Sequence, residues 1–287
     1  MSRSESPSVI VGYDGSAGAN RALEWAADDA ARRGVPLRIV HVVVPWPYDI
    51  AKFSTGGGPE DFHTGAGRML AEAEKAVHEL RPGLQVSTAV LEGQPGKVLR
   101  EQAGPETTLV LGSRGLGGFA GALLGSVSTH VAVHAHGPVV VVRPQEGAAR
   151  NEIVAGVDGS PESEPALGYA FEQARLRGAA VRAIHAWQLP VHAYAPEVTF
   201  DLDEVVRSQR QTVVDRLVSW RERYPDVTVY EESPCAHPAN ALIDASREAD
   251  LVVVGSRGMG AVGSLLLGSV SRAVLHHAHC PVAVVRS

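Results

Sequence analysis

Short apolar runs alternate with longer segments of mixed polarity along the whole chain. The runs are rich in Val, Ile and Leu, which is typical of buried strands. In the first half, the predicted strands are 8–13, 37–44, 85–91, 108–111 and 138–142. The segments between them predict helices at 16–33, about 67–80, about 95–102 and from Ser126 onward. Strands that alternate with helices favour an α/β fold whose parallel sheet is covered by helices on both faces.

The second half of the chain repeats the first. Residues 9–16 read VIVGYDGS and 153–160 read IVAGVDGS, while 136–143 and 279–286 read HGPVVVVR and HCPVAVVR. A repeat of domain length indicates duplication of a whole domain, because the repeats of a solenoid are only tens of residues long. We therefore predict two domains, 1–146 and 147–287, joined by a short polar segment. In the second domain, Ser160 and Pro161 predict the N-cap and first position of a helix.

One sequence motif occurs once in each half: GSRG, followed by nine residues and then by GSVS. It occupies 112–128 and 255–271, so the copies lie 143 residues apart. Each copy follows a predicted buried strand and ends where a Ser-led helix begins. Glycine tolerates positive φ and lets amide N–H groups turn toward an anion, and the first N–H groups of the next helix are free donors at the positive end of its dipole. The chain is therefore predicted to carry two nucleotide sites.

Composition narrows the class of protein. The 287 residues are 45% hydrophobic, which is enough for two ordinary cores, and the net charge is −6. No apolar stretch is long enough to span a bilayer, no signal peptide is recognisable, and two cysteines, Cys235 and Cys280, cannot form a disulfide framework. The sequence has no run of basic residues of the kind that binds nucleic acid. We expect a cytoplasmic protein that binds neither membranes nor nucleic acid.

Acidic residues are missing around both glycine loops. The chain has 32 Asp and Glu residues, yet none lies in 107–145 or 251–287. An acid-free surface with Arg114 and Arg257 inside the loops favours a polyphosphate ligand, because carboxylates would repel it. The alternative interpretation is that buried strands and helices simply lack charge.

Two aspartates occupy matching positions before the first helix of each half. Asp14 and Asp158 follow a strand end, where a carboxylate can accept a hydrogen bond from a ribose hydroxyl or a base amine, or help to hold a hydrated Mg²⁺. Strands one and four are expected to meet at the point where the strand order reverses, which is where open α/β sheets bind ligands. The alternative is an ordinary turn aspartate in an Asp-Gly pair.

The early strand-end aspartate followed by G-x2-G-x9-G-S resembles the ATP-binding branch of the universal stress proteins, and the two-domain layout is similar to their tandem actinobacterial members. The resemblance implies two Rossmann-like domains of the adenine nucleotide alpha hydrolase type, each with a five-stranded parallel sheet. It implies that Asp14 and Asp158 help to hold the adenosine, and that 42–43 and 186–187 border the adenine. It also implies that the last strands pair, so that the halves form an intramolecular pseudo-dimer.

The full set of nucleotide-binding residues expected from the motifs and the resemblance comprises two matching groups. In the first domain these are Gly12, Asp14, Val43, Gly112, Ser113, Arg114, Gly115, Leu116, Gly117, Gly118, Gly125, Ser126, Val127 and Ser128. In the second they are Gly156, Asp158, Trp187, Gly255, Ser256, Arg257, Gly258, Met259, Gly260, Gly268, Ser269, Val270 and Ser271. The predicted ligand is ATP at two sites per chain, with or without Mg²⁺.

Other site classes lack their residues. The lysine of a Walker P-loop is missing, since Lys52, Lys75 and Lys97 lie beside no glycine loop, and no G-x-S-x-G or H-E-x-x-H motif occurs. Histidines cluster near 130–136 and 276–279; a helix C-terminus explains them better than a metal does. We therefore predict no catalytic residue and no protein metal site.

Two functions fit this combination. The first is a regulator of stress response or growth that binds ATP and acts through nucleotide-dependent conformation or partner binding. The alternative is a slow ATPase or phosphotransferase that uses the same two sites. We expect a homodimer in addition to the pseudo-dimer, together with protein partners that the sequence does not identify.

Overall fold

The computed structural model describes residues 7–45, 59–117, 123–145, 147–160, 163–189, 201–258 and 267–286. The chain divides into two units, Met1–Pro144 and Gln145–Ser287. In each unit five parallel strands form a sheet between two layers of helices, which confirms the α/β class predicted from the alternation of strands and helices.

The first unit alternates strands and helices from its first described element to its last. Its strands are β1 (Ser8–Gly12), β2 (Leu37–Val43), β3 (Val86–Glu92), β4 (Thr107–Gly112) and β5 (Val139–Val142). Its described helices are α1 (Ala17–Arg33), α2 (Pro59–Leu80), α3 (Pro95–Gln102) and α4 (Ser126–His134). The strand order is β3-β2-β1-β4-β5, and every neighbouring pair is parallel.

The second unit repeats this arrangement. Its strands are β6 (Glu152–Gly156), β7 (Ala180–Ile184), β8 (Val229–Glu232), β9 (Leu251–Gly255) and β10 (Val282–Val285). Its described helices are α5 (Glu164–Arg177), α6 (Leu202–Arg223), α7 (Pro238–Ala245) and α8 (Ser269–His277). Within the unit the order is β8-β7-β6-β9-β10, again parallel throughout.

The strand order reverses beside the first strand of each unit. After β1 the chain goes to β2 on one side, whereas β4 lies on the other side of β1 and leads on to β5. In the first unit, α1 contacts α2 while α3 contacts α4, so the two pairs cover opposite faces of the sheet. A crevice opens at the carboxyl ends of β1 and β4, where the connections diverge.

Three strands are buried along their whole length. Each residue of β5, β9 and β10 is buried, because these strands are covered on both faces and consist of Val, Leu, Ala and a terminal Gly. A fully buried Val or Leu side chain stabilises the fold by about 1.5–3 kcal/mol. No described helix is long and apolar enough to cross a membrane.

Helix starts account for the main departures from the predicted elements. Ser16 is the N-cap of α1, and its hydroxyl oxygen accepts the amide of Ala19 at 3.1 Å. In the second unit α5 begins at Glu164 instead, and the hydroxyl of Ser160 donates to Asp158. The prediction that Ser160 is the N-cap was therefore wrong, because the helix begins later and Ser163 is the residue that precedes it; Pro161 lies outside the described residues.

Candidate functional site

A cleft of about 230 Å³ lies at the carboxyl ends of β1, β2 and β4 in the first unit. The sequence-predicted residues that line it are Gly12, Asp14, Gly112, Arg114, Gly115, Leu116, Gly117, Gly125, Ser126, Val127 and Ser128. Ser113 is buried, at 3% exposure, and does not line the cleft. Val43, the last residue of β2, does not line it either. Gly118 lies outside the described residues.

The second unit has a matching cleft of about 610 Å³. The predicted residues that line it are Gly156, Asp158, Trp187, Gly255, Arg257, Gly258, Gly268, Ser269, Val270 and Ser271. Ser256 is buried, like its counterpart Ser113. Met259 and Gly260 lie outside the described residues.

Asp14 ties the end of β1 to the glycine loop. Its Oδ1 accepts the amide of Ser16 and its Oδ2 accepts the amide of Leu116, each at 3.0 Å. In the second unit, Oδ1 of Asp158 accepts the amide of Ser160 at 3.0 Å and its hydroxyl at 2.6 Å. The Asp14 carboxylate therefore holds its glycine loop in position, and each of its oxygens has a second lone pair for a ligand, whereas in Asp158 both of these hydrogen bonds are accepted by Oδ1.

The loop glycines are required by close approach. A Cβ on Gly115 would overlap Oδ2 of Asp14, and a Cβ on Gly258 would lie 2.5 Å from Oδ2 of Asp158. A Cβ on Gly112 would lie 2.6 Å from the backbone of Gly18 in α1. None of these three glycines is among the described residues with positive φ. Glycine is needed here because the chain segments touch, and not for its tolerance of positive φ.

The loop ends at a helix whose first turn has no side-chain cap. Gly125 is the N-cap of α4 and Gly268 that of α8, and neither helix receives a side-chain cap hydrogen bond. The first amides of a helix have no intrahelical acceptor, so these N–H groups are available to an anion in the cleft. The hydroxyl of Ser128 donates instead to the carbonyl of Gly112 at 2.7 Å, which anchors the helix to β4.

Positively charged side chains lie at the glycine-loop end of the second cleft. Arg257 lines the cleft, and its Nε is buried without a hydrogen-bond partner among the described residues. Burial, and then the neighbouring charge of Arg257, lower the pKa of Arg286 below its usual range. Two guanidinium groups close enough to affect each other favour an anion between or beside them. In the first unit Arg114 is exposed.

Tyr13 adds a polar wall to the first cleft. Its phenol donates to Oδ1 of Asn20 at 2.6 Å. Burial, followed by the negative charges of Asp14 and Glu72, raises the pKa of Tyr13, so the phenol stays protonated and neutral at physiological pH. The second unit has Val157 at this position, and the two clefts therefore differ here.

Both halves match the model of the universal stress protein family, over residues 7–143 and 150–286. The chain belongs to this family. A universal stress protein of Mycobacterium tuberculosis is 37% identical over 302 residues, which cover 97% of this chain and 94% of that protein. The tandem arrangement of two universal stress domains that the repeat predicted is confirmed.

A solved structure of a universal stress protein from Archaeoglobus fulgidus shares the fold. It has a TM-score of 0.65 at 21% identity and covers 97% of this chain and 98% of its own. A shorter universal stress protein, crystallised in complex with cAMP, is 28% identical, covers 48% of this chain and 97% of its own, and has a TM-score of 0.36.

The end of each universal stress cleft away from the glycine loop is mainly apolar. In the first unit it is lined by Val40, Val42, Pro95 and Leu99. In the second unit Trp187 is 8% exposed in the wall of the cleft, and its Nε1 donates to the carbonyl of Ser233 at 3.2 Å. Each cleft therefore joins a donor-rich end to an apolar end.

Sequence reasoning missed one histidine in each cleft. His41 at the end of β2 and His185 just after β7 both line a cleft, and each ring places Nδ1 next to a backbone carbonyl. The signal was present in the sequence, because the two histidines lie 144 residues apart, the same offset as Asp14 and Asp158.

The histidines near the helix ends do not assemble a metal centre. Among the residues that the structure describes, no three His, Cys, Asp or Glu side chains are grouped to hold a metal ion. The rings of His130 and His134 are tilted by 32° with centroids 4.5 Å apart, and Nδ1 of His134 lies 2.8 Å from the carbonyl of His130.

Proposed function

We propose that this universal stress protein binds ATP in both clefts, with or without Mg²⁺, and acts as a regulator of stress response or growth. The observation that carries the proposal is the pairing of an uncapped helix N-terminus with an apolar pocket end across a glycine loop, found in both units. Bound nucleotide would stabilise one arrangement of the loops and so change the surface that partners meet.

The phosphates belong at the glycine loop. The uncapped amides of α4 and α8 offer donors at the positive end of a helix dipole. Neither loop lies near an acidic residue in the sequence, since 107–145 and 251–287 contain none. The Nε of Arg257, buried without a described partner, fits a charge-assisted hydrogen bond to a phosphate oxygen.

The nucleoside belongs at the apolar end. A purine base is flat and largely apolar, and the Val, Leu and Pro side chains of the first cleft suit its faces. Asp14 and Asp158 lie between the two ends and can accept from a ribose hydroxyl with their remaining lone pairs.

The clefts offer little for phosphoryl transfer. Lys75 and Lys97 line neither cleft, and Lys52 lies outside the described residues. Both oxygens of Asp14 already hold backbone amides, which leaves them poorly placed to activate a water molecule. Binding without rapid turnover is the function that this geometry supports best.

Mass spectrometry of nucleotide released from freshly purified protein tests the proposal. We expect close to two adenine nucleotides per chain, and an ATP turnover below about 10⁻² s⁻¹, far under the usual range for enzymes. Faster turnover that is abolished by Asp14→Ala plus Asp158→Ala, with binding retained, would replace the regulator by an ATPase or phosphotransferase. No released nucleotide and no binding of added ATP would overturn the proposal.

A further inference from the structure

The two cleft histidines share one tautomer. Nδ1 of His41 lies 2.7 Å from the carbonyl of Tyr13, and Nδ1 of His185 lies 2.9 Å from the carbonyl of Val157. A carbonyl oxygen can only accept a hydrogen bond, so Nδ1 must carry the proton in each ring. In the neutral imidazole, Nε2 is therefore a hydrogen-bond acceptor.

The two Nε2 atoms meet different surroundings. Nε2 of His185 lies 2.9 Å from Oε1 of Gln209 on α6. Because the oxygen and nitrogen of a side-chain amide are assigned from its hydrogen bonds, exchanging them places an N–H donor of Gln209 at Nε2. Within the described part of the chain, Nε2 of His41 has no hydrogen-bond partner, and His41 lines the first cleft. One acceptor is occupied, and the other is open.

The helix register explains this difference. A Cβ on Gly15 would lie 3.0 Å from Sδ of Met69 on α2, while a Cβ on Gly159 would lie 2.9 Å from Cγ2 of Thr212 on α6. Met69 therefore corresponds to Thr212, an offset of 143, and the same offset places Ala66 opposite Gln209. Ala66 is 7% exposed, and its methyl group cannot donate a hydrogen bond to His41.

We infer that His41 determines base specificity in the first cleft, by accepting a hydrogen bond from the 6-amino group of a purine at Nε2. The inference rests on the proposed function, which places the base at the apolar end of the cleft, and His41 on β2 is part of the cleft lining. The second cleft does not select for the 6-amino group in this way, because Gln209 occupies Nε2 of His185. The two clefts thus differ in base selectivity.

Competition at each cleft separately tests this inference. The full chain is photolabelled with 2-azido-ATP, and the labelled peptides are mapped to the first or second unit. Unlabelled ATP then competes against purine riboside 5′-triphosphate, which has hydrogen in place of the 6-amino group. We expect ATP to compete about tenfold better at the first cleft, the effect of one hydrogen bond to a partly buried acceptor, and within about threefold at the second.

Matched variants separate this contact from general damage. His41→Asn keeps a donor for the carbonyl of Tyr13 but lacks the second ring nitrogen, so the tenfold preference at the first cleft should be lost. Gln209→Ala should create a preference for ATP at the second cleft, because it opens Nε2 of His185. His185→Asn should leave the ratio of the two competitors unchanged at both clefts.

The outcomes distinguish the inference from the function on which it rests. Equal competition by the two triphosphates at the first cleft of the unaltered protein, with labelling intact, overturns the inference and leaves nucleotide binding standing. A preference for ATP at the second cleft that is unaffected by Gln209→Ala also overturns it. Absence of labelling at both clefts overturns the proposed function and the inference together.

Discussion

At the scale of single residues, the candidate site is defined by close approach. Gly115 and Gly258 touch the carboxylates of Asp14 and Asp158, so each aspartate and its glycine form one unit that joins the first strand to the loop after the fourth. Asp14 has a structural role in addition to any contact with nucleotide, because both of its oxygens accept backbone amides.

Substitution of Asp14 should therefore affect stability and binding together. Asp14→Ala removes hydrogen bonds to the amides of Ser16 and Leu116, and we expect unfolding of the first unit to become easier by about 1–3 kcal/mol. Asp14→Asn keeps one acceptor oxygen, so it should lower the free energy of unfolding by less than Asp14→Ala does. Denaturant unfolding without nucleotide measures the difference, and an Ala variant as stable as the unaltered protein would contradict the role of Asp14 as a tie.

His130 should make the stability of the first unit sensitive to pH. Burial, and then the charges of His134 and Arg100, lower the pKa of His130 below its usual value near 6.5, and its Nε2 is buried without a described partner. The folded state then binds fewer protons than the unfolded state, so stability present above about pH 6.5 is lost as the pH falls toward the lowered pKa.

Replacing His130 by Gln should remove this part of the pH dependence. Between pH 7.5 and 5.5 the unaltered protein should lose more unfolding free energy than His130→Gln does. His78→Gln is a suitable control, because the side chain of His78 is 48% exposed. Equal losses in the unaltered protein and in His130→Gln would argue against this assignment.

Site residues that lie within one short motif could be predicted from the sequence, whereas contacts between residues far apart in the chain could not. Asp14 and the loop glycines lie in recognisable sequence motifs at strand ends, where the fold class alone predicts a cleft. Gln209 lies on α6, 24 residues from His185, and no local pattern connects the two. Ser113 and Ser256 share the glycine phrase but point away from the cleft lining, because strand ends alternate their side chains between two faces.

At the scale of elements, the decisive feature is the start of the helix after each glycine loop. α1 and α6 are capped by the side chains of Ser16 and Asp201, whereas α3, α4, α5, α7 and α8 have no side-chain cap. Of these, α4 and α8 begin after the glycine that ends a glycine loop. An uncapped first turn lowers the stability of the empty helix and leaves its amides for an anionic ligand.

A carboxylate placed at the start of α8 should compete with nucleotide. The nearest atoms to a Cβ on Gly268 would lie 3.5 Å away, an ordinary contact, so Gly268→Asp fits. We expect it to stabilise the nucleotide-free protein by a few tenths of a kcal/mol through capping, and to weaken ATP binding at the second cleft at least tenfold through repulsion.

Gly268→Asn is the matched control for charge. It can cap the helix equally well, and should weaken ATP binding less than Asp does because it is neutral. Thermal unfolding without ligand and titration with ATP measure the two effects. Equal affinity in the Asp variant and the unaltered protein would show that phosphates do not lie at this helix.

The bounds of strands and of one short helix could be predicted closely, whereas the start of α2 could not. The predicted strand 37–44 is observed as Leu37–Val43, and the predicted helix 95–102 is observed as Pro95–Gln102. By contrast, α2 begins at Pro59 and not near residue 67, because glycines such as Gly65 and Gly67 are tolerated inside the helix where no neighbour lies within 4 Å. Apolar runs identify strands, whereas glycine is ambiguous between a helix boundary and an exposed helix surface.

At the scale of the whole molecule, duplication has produced two units with one topology and different details. Arg182 on β7 bridges Glu152 at 3.3 Å and Glu232 at 2.9 Å across three strands, whereas its counterpart Arg38 on β2 bonds Gln102 at 3.1 Å. The clefts differ in volume, in the residue beside the aspartate and in the partner of the histidine. The repeat predicts two sites, and the differences predict that the sites are not equivalent.

Calorimetric titration of the full chain with ATP tests the central claim most directly. We predict two equivalents per chain for the unaltered protein, one for Gly115→Ala or Gly258→Ala alone, and none for the double variant, because each added Cβ would collide with an aspartate. Gly67→Ala, on an exposed helix surface with no neighbour within 4 Å of the added Cβ, should still bind two. No ATP bound by the folded unaltered protein, or two equivalents bound by the folded double variant, would contradict the account.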